Sequence, residues 1–201
     1  MTDSFLAIDA TPIHYRVDGP AGAPVLVLSN SLGTDLSMGG MTGMWLGVHA
    51  PDRIAKLALC NTAAYIGPSE RWDARVGAVR AGGMAAIART VIGVWFTPPF
   101  LALEPGVTGA IREQLERTSP DGYIAACAAI RDTDLRDAIG AIQAPTLVVA
   151  GAHDGSTPPT HGRFLAERIP GARYVELDAA HLSNIEAAPR FNEALVSFLL
   201  A

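Results

Sequence analysis

Short apolar runs set between Gly- and Pro-rich breaks open and close this chain, and longer stretches of helical periodicity fill its middle. Residues 5–8 and 13–17 have the length and residue types of two strands, joined by a turn at Asp9-Ala10-Thr11-Pro12. After the loop Gly19-Pro20-Ala21-Gly22-Ala23-Pro24, residues 25–28 form an unbroken Val/Leu run of the kind found in strands buried on both faces. From Ser37 or Gly39 the period becomes helical through Trp45, Leu46 and Val48, and it stops before Pro51. Residues 54–59 read as another buried strand. Between residues 65 and 134 the composition shifts to Ala, Arg and Glu, with helices expected over 70–81, 84–95, 108–119 and 120–129 and breaks at Gly82-Gly83 and Pro98-Pro99. Alternation then resumes: a strand at 146–150, a helix at 159–169, a strand at 173–177 and a closing helix at 189–200. Strands alternating with helices predict an α/β fold with a mostly parallel sheet. Its core is expected to comprise residues 1–64 and 135–201, with residues 65–134 a helical cap insertion.

Composition narrows this picture without redirecting it. A chain of 201 residues, 49% hydrophobic and 17% charged, can bury one sizeable core and is not a disordered segment. The net charge of −5 and the lack of a basic run argue against nucleic-acid binding. Cys60 and Cys127 lack the C-x-x-C spacing of a metal knuckle or redox pair, and both sit in apolar runs as buried free thiols would. No His/Asp/Glu cluster has metal-ligand spacing. No secretory signal is visible at Met1-Thr2-Asp3-Ser4, and no apolar run reaches the ~20 residues needed to span a bilayer. The expectation is a cytoplasmic protein without a membrane partner.

Three polar residues stand where open α/β sheets place their chemistry, at the carboxyl ends of strands. Ser37 lies at a turn into a helix, Asp154 follows the strand at 146–150, and His181 follows the strand at 173–177. A serine hydroxyl needs a base to take its proton, an imidazole can do so near neutrality, and a carboxylate fixes the ring's tautomer. Each residue has a plainer reading: Ser37 as a helix N-cap, Asp154 as a turn aspartate before Gly155, His181 as a satisfied surface histidine. The chain order Ser, Asp, His favours the catalytic reading. His14, His49, His153 and His161 suggest no comparable arrangement.

The motifs Ser29-Asn30-Ser31-Leu32-Gly33, Leu36-Ser37-Met38-Gly39-Gly40, Pro51-Asp52-Arg53, Trp95-Phe96-Thr97-Pro98, Gly151-Ala152-His153-Asp154 and Ala180-His181 resemble the α/β-hydrolase family and, within it, the 3-oxoadipate enol-lactonases. The resemblance implies an α/β-hydrolase fold with a helical cap and a serine hydrolase that opens a small lactone ester to 3-oxoadipate in aromatic catabolism. Ser37 is then the nucleophile, Asp154 the acid and His181 the base, and the backbone N–H groups of Leu32 and Met38 form the oxyanion hole. No cofactor is implied, and the partner is a small lactone or ester. The carboxylate of such a substrate calls for a cation, with Arg131, Arg89 and Arg75 as candidates.

One departure from the family pattern stands out. The first glycine of the Gly-x-Ser-x-Gly elbow is replaced by Asp35, and no strand precedes the elbow directly. An intact relative is expected to carry roughly 60 further residues here, two strands with their helices, at ~30 residues per strand–helix unit. The resemblance implies a second Leu-Ser-Met-type segment after the oxyanion loop, and the expectation is an in-frame deletion between the two that leaves one copy at Leu36-Ser37-Met38. The fold expected is therefore an α/β-hydrolase lacking two core strands. Two alternatives stay open: a catalytically impaired or non-catalytic remnant, and another carboxylesterase, acyltransferase or cofactor-free haloperoxidase of the same fold.

Overall fold

A computed structural model describes residues 2–8, 11–17 and 39–201. The run at 25–28 and the residues Leu32, Ser37 and Met38 lie outside the described residues.

The first two elements form an antiparallel hairpin, β1 (Thr2–Ile8) with β2 (Thr11–Val17), in a register that pairs Thr2 with Val17 and Ile8 with Thr11. Helix α1 (Gly39–His49) follows, and a short 3-10 turn at Pro51–Arg53 leads into β3 (Leu57–Cys60). The strand is shorter than its apolar run, because Ile54 only closes the 3-10 turn by donating to the Pro51 carbonyl at 3.0 Å. Pairing begins at Leu57, whose N–H donates to the Pro145 carbonyl at 3.0 Å.

Five helices separate β3 from β4: α2 (Ser69–Gly82), α3 (Ala85–Trp95), α4 (Pro98–Leu103), α5 (Pro105–Arg117) and α6 (Pro120–Asp132). The break after α2 is where glycine was expected to make one: Gly83 sits at φ 67° and donates to the Val79 carbonyl. From sequence alone Pro98-Pro99 reads as a break, but it opens α4 instead. Proline lacks the N–H that the first turn leaves unpaired, so the pair starts a helix, and the Thr97 hydroxyl caps it by accepting from the Phe100 N–H at 3.4 Å. The same logic starts α5 at Pro105 rather than at 108.

The remaining elements are β4 (Thr146–Gly151), α7 (Pro159–Arg168), β5 (Arg173–Leu177), a single turn α8 (Ser183–Glu186) and α9 (Ala188–Leu200). The three later strands form a parallel sheet in the order β3-β4-β5. Central β4 is buried along its whole length, which is why Thr-Leu-Val-Val-Ala carries no alternation. Met44 of α1, Leu59, Leu115, Ile139, Ile142 and Leu165 are among the fully enclosed side chains of the core. Among the described residues, no helix is long and apolar enough to cross a membrane.

Candidate functional site

The site forms where β4 and β5 end side by side. Beyond β4, Ala152 N–H donates to the Leu177 carbonyl at 2.8 Å and His153 N–H to the Ala179 carbonyl at 3.0 Å. The two loops pass so closely that a Cβ on Gly151 would stand 2.2 Å from the Ala180 carbonyl oxygen and 2.5 Å from that of Ala179. Only glycine permits that approach. It brings Asp154, three residues past β4, against His181, four residues past β5.

The His181 Nδ1 and Asp154 Oδ2 are 2.8 Å apart, with the carboxylate fully enclosed and the imidazole side chain 10% exposed. Asp154 is held by further donors. Ser156 N–H and Thr157 N–H donate to Oδ1 at 2.7 and 2.9 Å, and the Thr157 hydroxyl donates to Oδ2 at 2.9 Å. The Asn61 amide donates to Oδ2 at 3.1 Å. Burial opposes ionisation of this carboxyl. The His181 hydrogen bond and charge, helped by Thr157 N–H and Asn61, outweigh it and hold Asp154 below the ordinary carboxylate range. An acceptor-only carboxylate at Nδ1 requires the proton on that nitrogen, which leaves Nε2 as the basic atom of a neutral ring. The pair can therefore accept a proton at Nε2 and stabilise the resulting imidazolium.

The loop that carries His181 is fixed on either side. Ala180 N–H donates to Glu186 Oε2 at 2.9 Å, and Leu182 N–H donates to the Trp95 carbonyl at 3.0 Å. Glu186 also accepts from Thr97, through its N–H at 3.3 Å and its hydroxyl. The Trp95 indole lies roughly parallel to the imidazole, 26° off, with centroids 6.3 Å apart. The Trp95-Phe96-Thr97 segment is thus attached directly to the histidine loop.

The arginine candidates separate clearly. Arg131 is engaged by Asp73 and Asp132, each at 2.7 Å, and Arg89 is exposed on α3. Half-buried Arg75 packs over the Trp72 ring at 5.4 Å and reaches the Tyr123 hydroxyl at 3.5 Å. Arg71, one turn earlier and not anticipated from sequence, packs over the same ring at 5.8 Å and donates to the Ser156 carbonyl at 3.4 Å. Its own pKa is lowered by burial and by Arg75, and Asp154 acts against both. Among the described residues neither Arg71 nor Arg75 forms an ion pair with a carboxylate.

The other histidines have separate settings. His153 pairs with exposed Asp178 at 2.8 Å, and His49 meets the Trp45 ring at a tilt of 38°, with centroids 4.6 Å apart. His161 is pushed below its ordinary value, first by burial and also by Arg71, with Asp154 opposing. Burial raises the Cys60 thiol to about 12 and Cys127 to about 11, so neither is a ready nucleophile. No group of three or more His, Cys, Asp or Glu among the described residues is arranged to hold a metal.

Sequence reasoning missed Asn61, Thr157, Glu186 and Arg71. Asn61 carried a usable signal: it is the polar residue that ends the apolar run Leu57-Ala58-Leu59-Cys60, the position type that singled out Asp154 and His181.

Comparison with known proteins identifies the fold family. A family model described as alpha/beta hydrolase fold matches residues 110–188. The chain is 37% identical over 193 residues to 3-oxoadipate enol-lactonase 2 of Acinetobacter baylyi, covering 92% of this chain and 72% of the relative. It is 34% identical to 3-oxoadipate enol-lactonase 1 of the same organism, covering 93% of this chain and 92% of the relative. That alignment runs over 246 residues, more than this chain's own 201, so the relative contributes residues with no counterpart here. The enol-lactonase structure from Burkholderia xenovorans LB400 superposes with a TM-score of 0.81 at 47% identity. The match takes in 83% of this chain but only 64% of that one. The chain spans less than two thirds of the length of that Burkholderia enol-lactonase, and it belongs to the α/β-hydrolase family, whose enol-lactonase members it resembles.

Proposed function

We propose that this chain hydrolyses a small carboxylic ester, and that its substrate is a lactone bearing a carboxylate, with 3-oxoadipate enol-lactone as the first candidate. The observation that carries this reading is the buried Asp154–His181 pair at the ends of adjacent strands. Ser37 is the proposed nucleophile. His181 Nε2 takes its proton as the oxygen attacks the lactone carbonyl, and the oxyanion is received by the backbone N–H groups of Leu32 and Met38. Collapse breaks the ring C–O bond, and the imidazolium returns its proton to the departing oxygen, which remains tethered to the acyl chain. Water, activated by His181 in turn, releases the free acid and restores Ser37. Arg71, which senses the Asp154 charge, and its neighbour Arg75 are half-buried and meet no carboxylate among the described residues, and they are the proposed partners of the substrate carboxylate. Residues 65–134 act in this reading as a cap over the site. The similarity to two enol-lactonases at 34% and 37% identity supports the substrate class.

A second reading, a non-catalytic remnant, is favoured by one observation: the 246-residue alignment to a relative contains a block this chain lacks. Turnover of the enol-lactone, with Asp154→Asn and His181→Gln beside the native chain, separates the two. The hydrolytic reading expects measurable opening of the ring and a loss of about 10³-fold or more in kcat for either variant. Absence of turnover, together with no Ser37 adduct from a fluorophosphonate on folded protein, establishes the remnant instead.

A further inference from the structure

We propose that Asn61 is a positioning residue for the Asp154–His181 pair, its buried amide orienting the carboxylate and tying the histidine loop to it. Its place is set first by the backbone. Asn61 extends the β3–β4 ladder by one step, donating from its N–H to the Val149 carbonyl at 2.8 Å. It then turns away at φ 47°, a left-handed conformation that asparagine adopts more readily than most side chains. The residue is 9% exposed, so its amide must find partners inside the protein.

Those partners dictate which way the amide points. Asp154 Oδ2 at 3.1 Å and the Ala180 carbonyl at 3.3 Å can only accept, so both must face the NH₂ group. The Asn61 Oδ1 is then left to accept from the Ser183 hydroxyl, at 2.5 Å. One side chain thus touches the carboxylate, the residue before His181 and the residue two after it. Oδ2 of Asp154 takes donors from His181, Thr157 and Asn61 at 2.8, 2.9 and 3.1 Å, so its direction is fixed from three sides. Among the described residues, the other ionisable groups around the pair are Arg71 on α2, His161 on α7 and Glu186 on α8. All of them are left intact by a change at Asn61.

A plainer role, a residue tolerating left-handed backbone, is filled equally well by glycine. The test therefore uses Asn61→Gly, which keeps the backbone and removes the amide, and Asn61→Asp, which keeps the shape and exchanges the donor for an ionisable oxygen. The readouts are the ¹³C titration of the Asp154 carboxyl and the His181 Nδ1–H proton resonance, neither of which needs an active nucleophile. In Asn61→Gly the Asp154 midpoint is expected to rise and the Nδ1–H signal to broaden. In Asn61→Asp two carboxyls share one proton, and the pair is expected to titrate in two steps, one above the ordinary carboxylate range. Where the native chain opens the enol-lactone, kcat is expected to fall about tenfold in Asn61→Gly with KM held. Folded variants whose Asp154 titration and Nδ1–H signal match the native chain overturn the proposal. Should Asn61→Gly not fold, the two-step titration of the isosteric Asn61→Asp decides it, present or absent. The proposal rests on the hydrolytic reading only for its kinetic arm: a native chain without turnover removes that reading while the spectroscopic result still stands.

Discussion

Asp154 shows how a single buried charge is made tolerable. Five donors surround it, two from backbone N–H groups one and two residues beyond Gly155 in the tight turn that follows β4. Its folded carboxyl lies below its unfolded value. The sign of the linkage follows: the ionised form stabilises the fold at pH values above the unfolded range near ~4, and that stabilisation is lost as pH falls through the folded value. Acid unfolding of the native chain should therefore steepen below about pH 4, and Asp154→Asn should flatten that part of the stability–pH curve, as read from denaturant midpoints at successive pH values. A curve for Asp154→Asn that parallels the native one would count against the assignment. At this scale the sequence was informative only where chemistry and strand ends coincided. Asp154 and His181 drew notice because each follows a strand, apolar β4 and the shorter, half-exposed β5, and because they stand in the chain order Asp, His. Asn61 occupies the same kind of position, but its amide suggested no reaction and so drew no notice. Glu186 was hidden for a different reason: its partners, Thr97 and Ala180, come together only through tertiary packing.

At the scale of elements, the site depends on two loops lying closer than side chains allow. Gly151 is the point of contact, and Gly151→Ala forces a methyl group into the Ala179 and Ala180 carbonyl oxygens. Neither oxygen belongs to a side chain that can swing aside. We expect a loss of about 2 kcal/mol or more in unfolding free energy, with separation of β4 from the histidine loop and loss of the His181 Nδ1–H signal. A denaturant melt of Gly151→Ala within error of the native chain would sink this account. Strand and helix types were readable most directly where the strand is uniformly apolar, as β4 is, and where the helix carries a clear period, as α3 and α9 do. The boundaries erred where proline was involved. Pro98 and Pro105 begin helices, where residue pattern alone predicts a break at Pro98-Pro99 and a start of α5 at 108. The element expected at 25–28, and with it Leu32, Ser37 and Met38, lies outside the described residues, so those expectations stand as proposals.

Across the whole molecule, one tie joins residues 143 positions apart in the chain. Lys56, just before β3, places its ammonium on the carbonyls of Phe198 and Leu199, at 3.1 and 2.9 Å, and 5.7 Å from the Phe198 ring centroid. A cation there satisfies carbonyls that the last turn of α9 leaves unpaired and complements the negative end of its dipole. Lys56→Met, which keeps the aliphatic stem and removes the charge, should cost about 1 kcal/mol and lower Tm, with the amide protons of the last turn of α9 exchanging faster. Unchanged exchange there would mean that α9 is held by its apolar face alone, through Phe198 in the smaller cluster with Leu147, Val149 and Leu177.

Lys56 is also the sole lysine in the sequence. Its side-chain amine is therefore a unique chemical handle, and it is one that the fold keeps occupied. An acylating reagent can modify it only when the ammonium leaves its two carbonyls and gives up its proton. The rate at which Lys56 gains an acyl mass then reports how often the end of α9 lifts from the sheet, a clock for unzipping at the C-terminal end that requires no engineered probe.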